Sequence, residues 1–137
     1  MRFVPYLAFN GDCREAFEFY AKVFEAPLGE IFTYGSMPDE MPVAPEVADR
    51  IMNVSLDVGG ATIMGSDAPS ADPVKMEGLC VSIEIDDEAK ARKIYDAFAD
   101  GGTIVMPYAP TFWAKQFAMV TDKYGTPWMI NYGLMGS

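Results

Sequence analysis

One order of elements is written into this chain twice: an apolar strand, a capped amphipathic helix, then three further strands. In the first half, Phe3 to Phe9 is a short apolar run broken by Asn10-Gly11-Asp12. Asp12 is a good helix N-cap, and Glu15 three residues on gives a capping-box-like pattern. The spacing predicts a helix from Cys13 to about Glu25, ended by Pro27. Its buried face is Ala16, Phe17, Tyr20, Val23 and Phe24. Gly29 to Tyr34 follows as a strand. Residues 35–50 form a Pro-rich loop, in which Met37 to Pro45 is either a lid or an ordinary long connection. Ile51 to Val58 alternates Met52, Val54, Leu56 and Val58 against Asn53, Ser55 and Asp57. Gly59-Gly60 turns the chain, and Ala61 to Gly65 returns.

The second half repeats the plan. Leu79 to Ile85 is a strand, with Val81, Ile83 and Ile85 opposed to Cys80, Ser82 and Glu84. Asp86-Asp87 caps a helix from about Glu88 to Ala99 whose stripe is Ala91, Ile94, Tyr95 and Phe98. Gly101-Gly102 ends it. Strands follow at Thr103–Pro107, Phe117–Thr121 and Trp128–Tyr132, with Trp128 and Tyr132 expected on the helix side. The reading is an α+β protein, one domain over residues 1–137. It holds two βαβββ modules, about 1–66 and about 78–134. Helices cover the outer faces. Two curved mixed sheets whose free faces meet would make a cup.

Composition narrows the function. There is no histidine, which removes the commonest proton shuttle at neutral pH and the commonest ligand for zinc, nickel and iron. The formal charge of -10 argues against nucleic acid and anionic membranes as partners. No apolar stretch approaches the roughly 20 residues of a membrane span, and no signal peptide is seen. Cys13 and Cys80 form no CxxC pair, so free thiols and a cytoplasmic location are expected.

Strand parity predicts which side chains line the cup. They are Pro5, Leu7 and Phe9; Asn53, Ser55 and Asp57; Cys80, Ser82 and Glu84; Phe117, Met119 and Thr121; Met129 and Asn131. Apolar walls with a few polar groups suit a small molecule. Phe112-Trp113, with Lys115 and Gln116, sits on a loop before a cup strand, either as a ligand cover or as a plug or dimer contact. Asp57 and Glu84 read as solvated strand-end carboxylates rather than an acid–base pair. Cys80 has no nearby activator and reads as a structural thiol. Cys13 begins a helix, where the dipole favours a thiolate, but packing is the better account.

These residues carry a resemblance. The chain resembles the vicinal oxygen chelate superfamily, and within it the PhnB-like branch. The matching residues are Tyr6 to Ala16 with Phe19-Tyr20, then Ile51-Met52-Asn53 and Met64-Gly65-Ser66-Asp67. The second half adds Gly101 to Pro107, Phe112-Trp113, Phe117, Asp122, Tyr124-Gly125 and Trp128 to Asn131. The resemblance implies two βαβββ modules, a homodimer and a ligand cup. In metal-bearing members the cup holds one divalent ion. The corresponding positions here are Pro5, Asn53, Leu79 or Cys80, and Met129, which is no set for such an ion, so no metal and no cofactor are expected. PhnB-like sequences also carry a ubiquinone-pathway methyltransferase label, yet no Gly-rich turn suited to S-adenosylmethionine is present.

The leading expectation is a metal-independent binding protein for an apolar or aromatic small molecule. Its candidate residues are Asn53, Ser55, Cys80, Trp113, Gln116, Phe117, Met119, Thr121 and Met129. The rivals are an enzyme with an oxygen-only site at Asn53, Asp57 and Glu84, and a dimeric assembly protein without a small-molecule role.

Overall fold

The computed structural model describes residues 1–36 and 44–135. Most of the expected lid, at 37–43, lies outside the described residues. The chain divides into two compact units, Met1–Lys75 and Met76–Ser137. The first holds β1 (Tyr6–Phe9), α1 (Cys13–Val23), β2 (Leu28–Thr33), β3 (Ile51–Val58) and β4 (Ala61–Asp67), with short 3-10 turns at Tyr34–Ser36 and Pro45–Val47. The second holds β5 (Val81–Ile85), α2 (Glu88–Ala99), β6 (Thr103–Ala109), β7 (Ala114–Thr121) and β8 (Pro127–Leu134). Each unit is βαβββ, as the repeated order of elements requires. The strand orders are equivalent, β1-β4-β3-β2 and β5-β8-β7-β6. In each sheet the first strand pairs parallel to the last, and the other pairs are antiparallel.

One face of each sheet is packed by its helix. In the first unit, Leu7, Phe9, Val54 and Leu56 are buried with Ala16, Phe17 and Tyr20 of α1. Phe17 meets Phe9 edge-on at 6.1 Å and lies close enough to Gly65 that a Cβ there would approach its ring to 2.6 Å. A larger residue would push the helix off the sheet. In the second unit, Ala91, Ile94, Tyr95 and Phe98 are the buried stripe of α2. Phe98 stacks on Trp128 with ring centroids 4.6 Å apart, while Tyr132 is only half-buried.

Three local expectations change. Helix α1 ends at Val23, two residues earlier than its apolar pattern suggests. Glu25 takes a left-handed φ of 54°, and the amides of Glu25 and Ala26 return to the carbonyls of Lys22 and Ala21. This is a Schellman stop with glutamate in the usual glycine place. Asp12 stands at the N-cap, but its side chain makes no capping bond. The cap comes from Asp67, at the end of β4. That carboxylate is 1% exposed. It accepts from the amides of Gly11 at 2.8 Å, Cys13 at 3.0 Å and Ile51 at 2.8 Å. Finally, β5 begins at Val81 rather than Leu79, which leaves Cys80 just ahead of the strand.

A second buried carboxylate organises the second unit. Asp122 accepts from the amides of Tyr124 and Thr126 and from the indole Nε1 of Trp128 at 2.8 Å. It therefore sets both the β7–β8 turn and the ring on which Phe98 stacks. One polar atom is less well served. The Tyr108 hydroxyl is buried and has no hydrogen-bond partner. Burial, then the nearby Glu88 carboxylate, pushes this phenol up, against the pull of Arg92.

Asp67→Ala should leave two buried amides and one part-buried amide unpaired and lower the unfolding free energy by about 3 kcal/mol in urea titration. Tyr108→Phe should act in the opposite direction. Removing an unpaired hydroxyl is expected to stabilise the protein by about 1 kcal/mol in the same measurement.

Candidate functional site

The face of each sheet that turns away from its helix carries the candidate side chains. In the second unit the register arranges them in rows. Met106 of β6, Met119 of β7, Met129 of β8 and Ser82 of β5 are successive cross-strand neighbours. The next row is Ala109, Phe117, Asn131 and Glu84. Thr121 follows beyond Met119, opposite Pro127. Side chains directly opposite one another in a ladder are packing partners, so each row is a physical unit. Three adjacent thioethers make an adaptable, polarisable strip. Trp113 meets Phe117 edge-on at 5.1 Å, and Phe112 meets Trp113 at 4.8 Å. The outermost ring, Phe112, is 89% exposed.

In the first unit the free face bears Asn53, Ser55 and Asp57, with Ser55 opposite Met64 and Met64 opposite Tyr6. The Tyr6 hydroxyl donates to Asn53 Oδ1 at 3.2 Å. Phe32 of β2 flanks Asn53. Asp57, at the end of β3, accepts from the Thr62 hydroxyl.

The structure thus brings Trp113, Phe117, Met119, Thr121 and Met129 together on one face, and Asn53 and Ser55 on the equivalent face of the other unit. Two sequence expectations fail. Leu7 and Phe9 point to the helix, and Tyr6 and Ala8 take the free face. The run Tyr6-Leu7-Ala8-Phe9 is apolar at both parities, so alternation could not choose between them. Pro5 precedes the strand. Gln116 also lies on the helix side, in register with Tyr132, because it is one residue out of phase with Phe117. Cys80 is half-buried.

Strand parity places Asn131 in the cup, outside the expected binding set. It is 5% exposed. Its Nδ2 donates to Ser82 Oγ at 3.0 Å and to the Ile83 carbonyl at 3.5 Å. The signal that would have singled it out is the Glu84–Asn131 register, which only the parallel pairing of β5 with β8 creates. Together with Glu84, Ile85, Asp86 and Leu134 it lines a recess of about 280 Å³.

The two thiols differ in access: Cys13 is buried and Cys80 is half-buried. Cys13 is fully buried in the first turn of α1. Burial, then the carboxylates of Asp67 and Asp12, pushes its thiol far up, against a smaller pull from Arg14. The dipole effect of a helix N-terminus is outweighed here by desolvation and by Asp67. A folded-state value above the unfolded one, about 8.5, contributes stability that is complete below that pH and declines above it. The unfolding free energy should therefore fall as pH rises from 8.5 to 10, by up to about 1.4 kcal/mol per unit from this group. The slope should flatten in Cys13→Ala. In native protein, a thiol reagent should modify Cys80 and reach Cys13 only in denaturant.

Both units carry the same βαβββ strand order, a fold shared with known proteins. The model of the family described as 3-demethylubiquinone-9 3-methyltransferase matches residues 1–131, and the chain belongs to that PhnB-like family. Protein YjdN of Escherichia coli is 32% identical over 135 residues, 93% of this chain and 92% of YjdN. The crystal structure of protein PA1353 from Pseudomonas aeruginosa has a TM-score of 0.89 and 39% identity, covering 97% of this chain and 98% of that one. The PhnB protein from Bacillus cereus shares the fold at a TM-score of 0.80 and 19% identity, covering 97% and 100%.

The groups these names imply do not fit the residues present. Of the positions that the resemblance assigns to metal ligands, Pro5 and Leu79 offer no side-chain donor, Cys80 (the alternative to Leu79) and Met129 offer only sulfur, and Asn53 Oδ1 already accepts from Tyr6. Among the described residues, no three His, Cys, Asp or Glu side chains come together to hold a metal ion. S-adenosylmethionine fares no better. The one glycine in a strand-to-helix turn is Gly11, and its amide and that of Cys13 are taken by Asp67. Each sheet has a single parallel pair, so there is no switch point between parallel strands. Among the described residues, no helix is long and apolar enough to cross a membrane.

Proposed function

We propose that this protein binds a small apolar or aromatic molecule without a metal, on the sheet faces that its helices leave free. The supporting observation is the second unit's face. There the Met106, Met119 and Met129 row adjoins Phe117, and Phe117 carries Trp113. Met119 and Met129 are only half-buried, so the strip can meet a partner. Thioethers contact aromatic rings favourably and adapt to their outline. Trp113 supplies a wall for an offset or edge-on ring contact.

The protein acts as a cytoplasmic homodimer in this reading. Free cysteines support the compartment, and the family fold supports the dimer. No chemical step is assigned, because the residues gathered on these faces include no activated nucleophile.

Tag-free protein screened against a panel of neutral aromatic compounds should gain several degrees in melting temperature with at least one of them. That compound should quench tryptophan fluorescence in the wild type and not in Trp113→Phe. Met119→Ala should weaken it about fivefold. A panel without any melting shift would remove the proposal.

A further inference from the structure

The recess at the end of the β5–β8 pair has an unusual lining: its polar side chains are all oxygen acceptors. Glu84 and Asp86 contribute carboxylates, and Asn131 contributes an amide. The orientation of that amide is fixed. Its Nδ2 faces the Ile83 carbonyl, which can only accept, and also reaches Ser82 Oγ. Asn131 Oδ1 is therefore left as a free acceptor on a side chain that is 5% exposed, and among the described residues nothing donates to it. That oxygen opens on the recess, where a donor from outside the protein can reach it. Asp86 is also free of the capping duty that its position before α2 suggests. The helix is capped by Asp87, whose carboxylate accepts from the Lys90 amide at 3.1 Å.

We infer that this recess is a binding site for a primary ammonium group. An ammonium has three donors and no acceptor, which matches one oxygen each from Glu84, Asp86 and Asn131. The volume, about 280 Å³, exceeds what a bare ion fills and admits the carbons that carry an amine. A hard divalent ion prefers six or more oxygens in a closed shell. Here three side chains supply at most five oxygens, and two of those side chains are exposed. The chain's net charge of -10 raises the local concentration of cations.

The register also says what the rest of the ligand meets. Asn131 lies between Glu84 on one side and Phe117 on the other, in one cross-strand row. An amine seated in the recess would extend its carbon skeleton along that row toward Phe117 and Trp113. The ammonium site stands on its own observations. Only this placement of the skeleton rests on the aromatic-binding reading above.

The test is heteronuclear NMR at pH 7 with three probes: methylammonium, 2-phenylethylammonium and the neutral 2-phenylethanol. Methylammonium and 2-phenylethylammonium should both move the Asn131 side-chain amide signals and the Glu84 backbone signal. Glu84→Gln and Asp86→Asn change exposed side chains and should keep the wild-type melting temperature. Each should weaken both amines about tenfold and leave 2-phenylethanol unaffected. The inference is overturned if neither amine moves these signals, if the amines bind equally well in both variants, or if magnesium alone occupies the recess. Binding of 2-phenylethanol together with failure of the amines would remove the ammonium site and leave the aromatic face standing. Binding of methylammonium without any preference for the phenyl compounds would do the reverse.

Discussion

The first unit depends on one buried carboxylate. Asp67 gathers the amides that precede and begin α1 and the amide that begins β3, and it does so from the end of β4. Charge-assisted bonds of this kind are stronger than neutral ones, and a buried carboxylate needs every one of them. Helix position, strand start and sheet closure are thereby one linked constraint. Asp122 plays the related part in the second unit, but there it fixes a turn and an indole ring rather than a helix end. The free faces keep their shape because the opposite faces are locked in this way.

The resulting surfaces differ in chemistry. On the first unit, Tyr6 and Asn53 satisfy one another, and Asp57 is engaged by Thr62. On the second unit, soft and aromatic groups adjoin acceptors that no described residue satisfies. A binding preference follows from that inequality more directly than from the shared fold. The family's methyltransferase description finds no corresponding cradle in these residues, and the sheet topology explains why. A fold with one parallel pair per sheet has no crevice between successive parallel strands for a nucleoside to enter.

Much of this was legible in the sequence where one periodicity dominated. Ala91, Ile94, Tyr95 and Phe98 stand out because the other positions of α2 are charged or alanine. The β3 alternation and the pairing of Phe117, Met119 and Thr121 on one face are read the same way. Legibility ends where both parities are apolar, as in Tyr6 to Phe9, or where neighbours along a strand face opposite sides, as Gln116 and Phe117 do. It ends also where a local motif is displaced by a distant one. Asp12 has the right residue type and spacing to cap α1, and Asp67 holds the position because the fold delivers it there. The Asn131–Glu84 juxtaposition is likewise a product of strand pairing across long sequence separation, which no local pattern encodes.

The parallel closures carry a temporal consequence. Strand β1 finds its neighbour only in β4, and β5 only in β8. During synthesis, α1 emerges long before the residue that caps it, 54 positions downstream from Cys13. Each half of the nascent chain must therefore wait for its last strand before its first strand is seated, and contacts so distant along the chain form slowly. Until then the apolar run at the N-terminus is an open edge, and the ribosome-bound chain is at its most vulnerable to misassociation just before each module is completed.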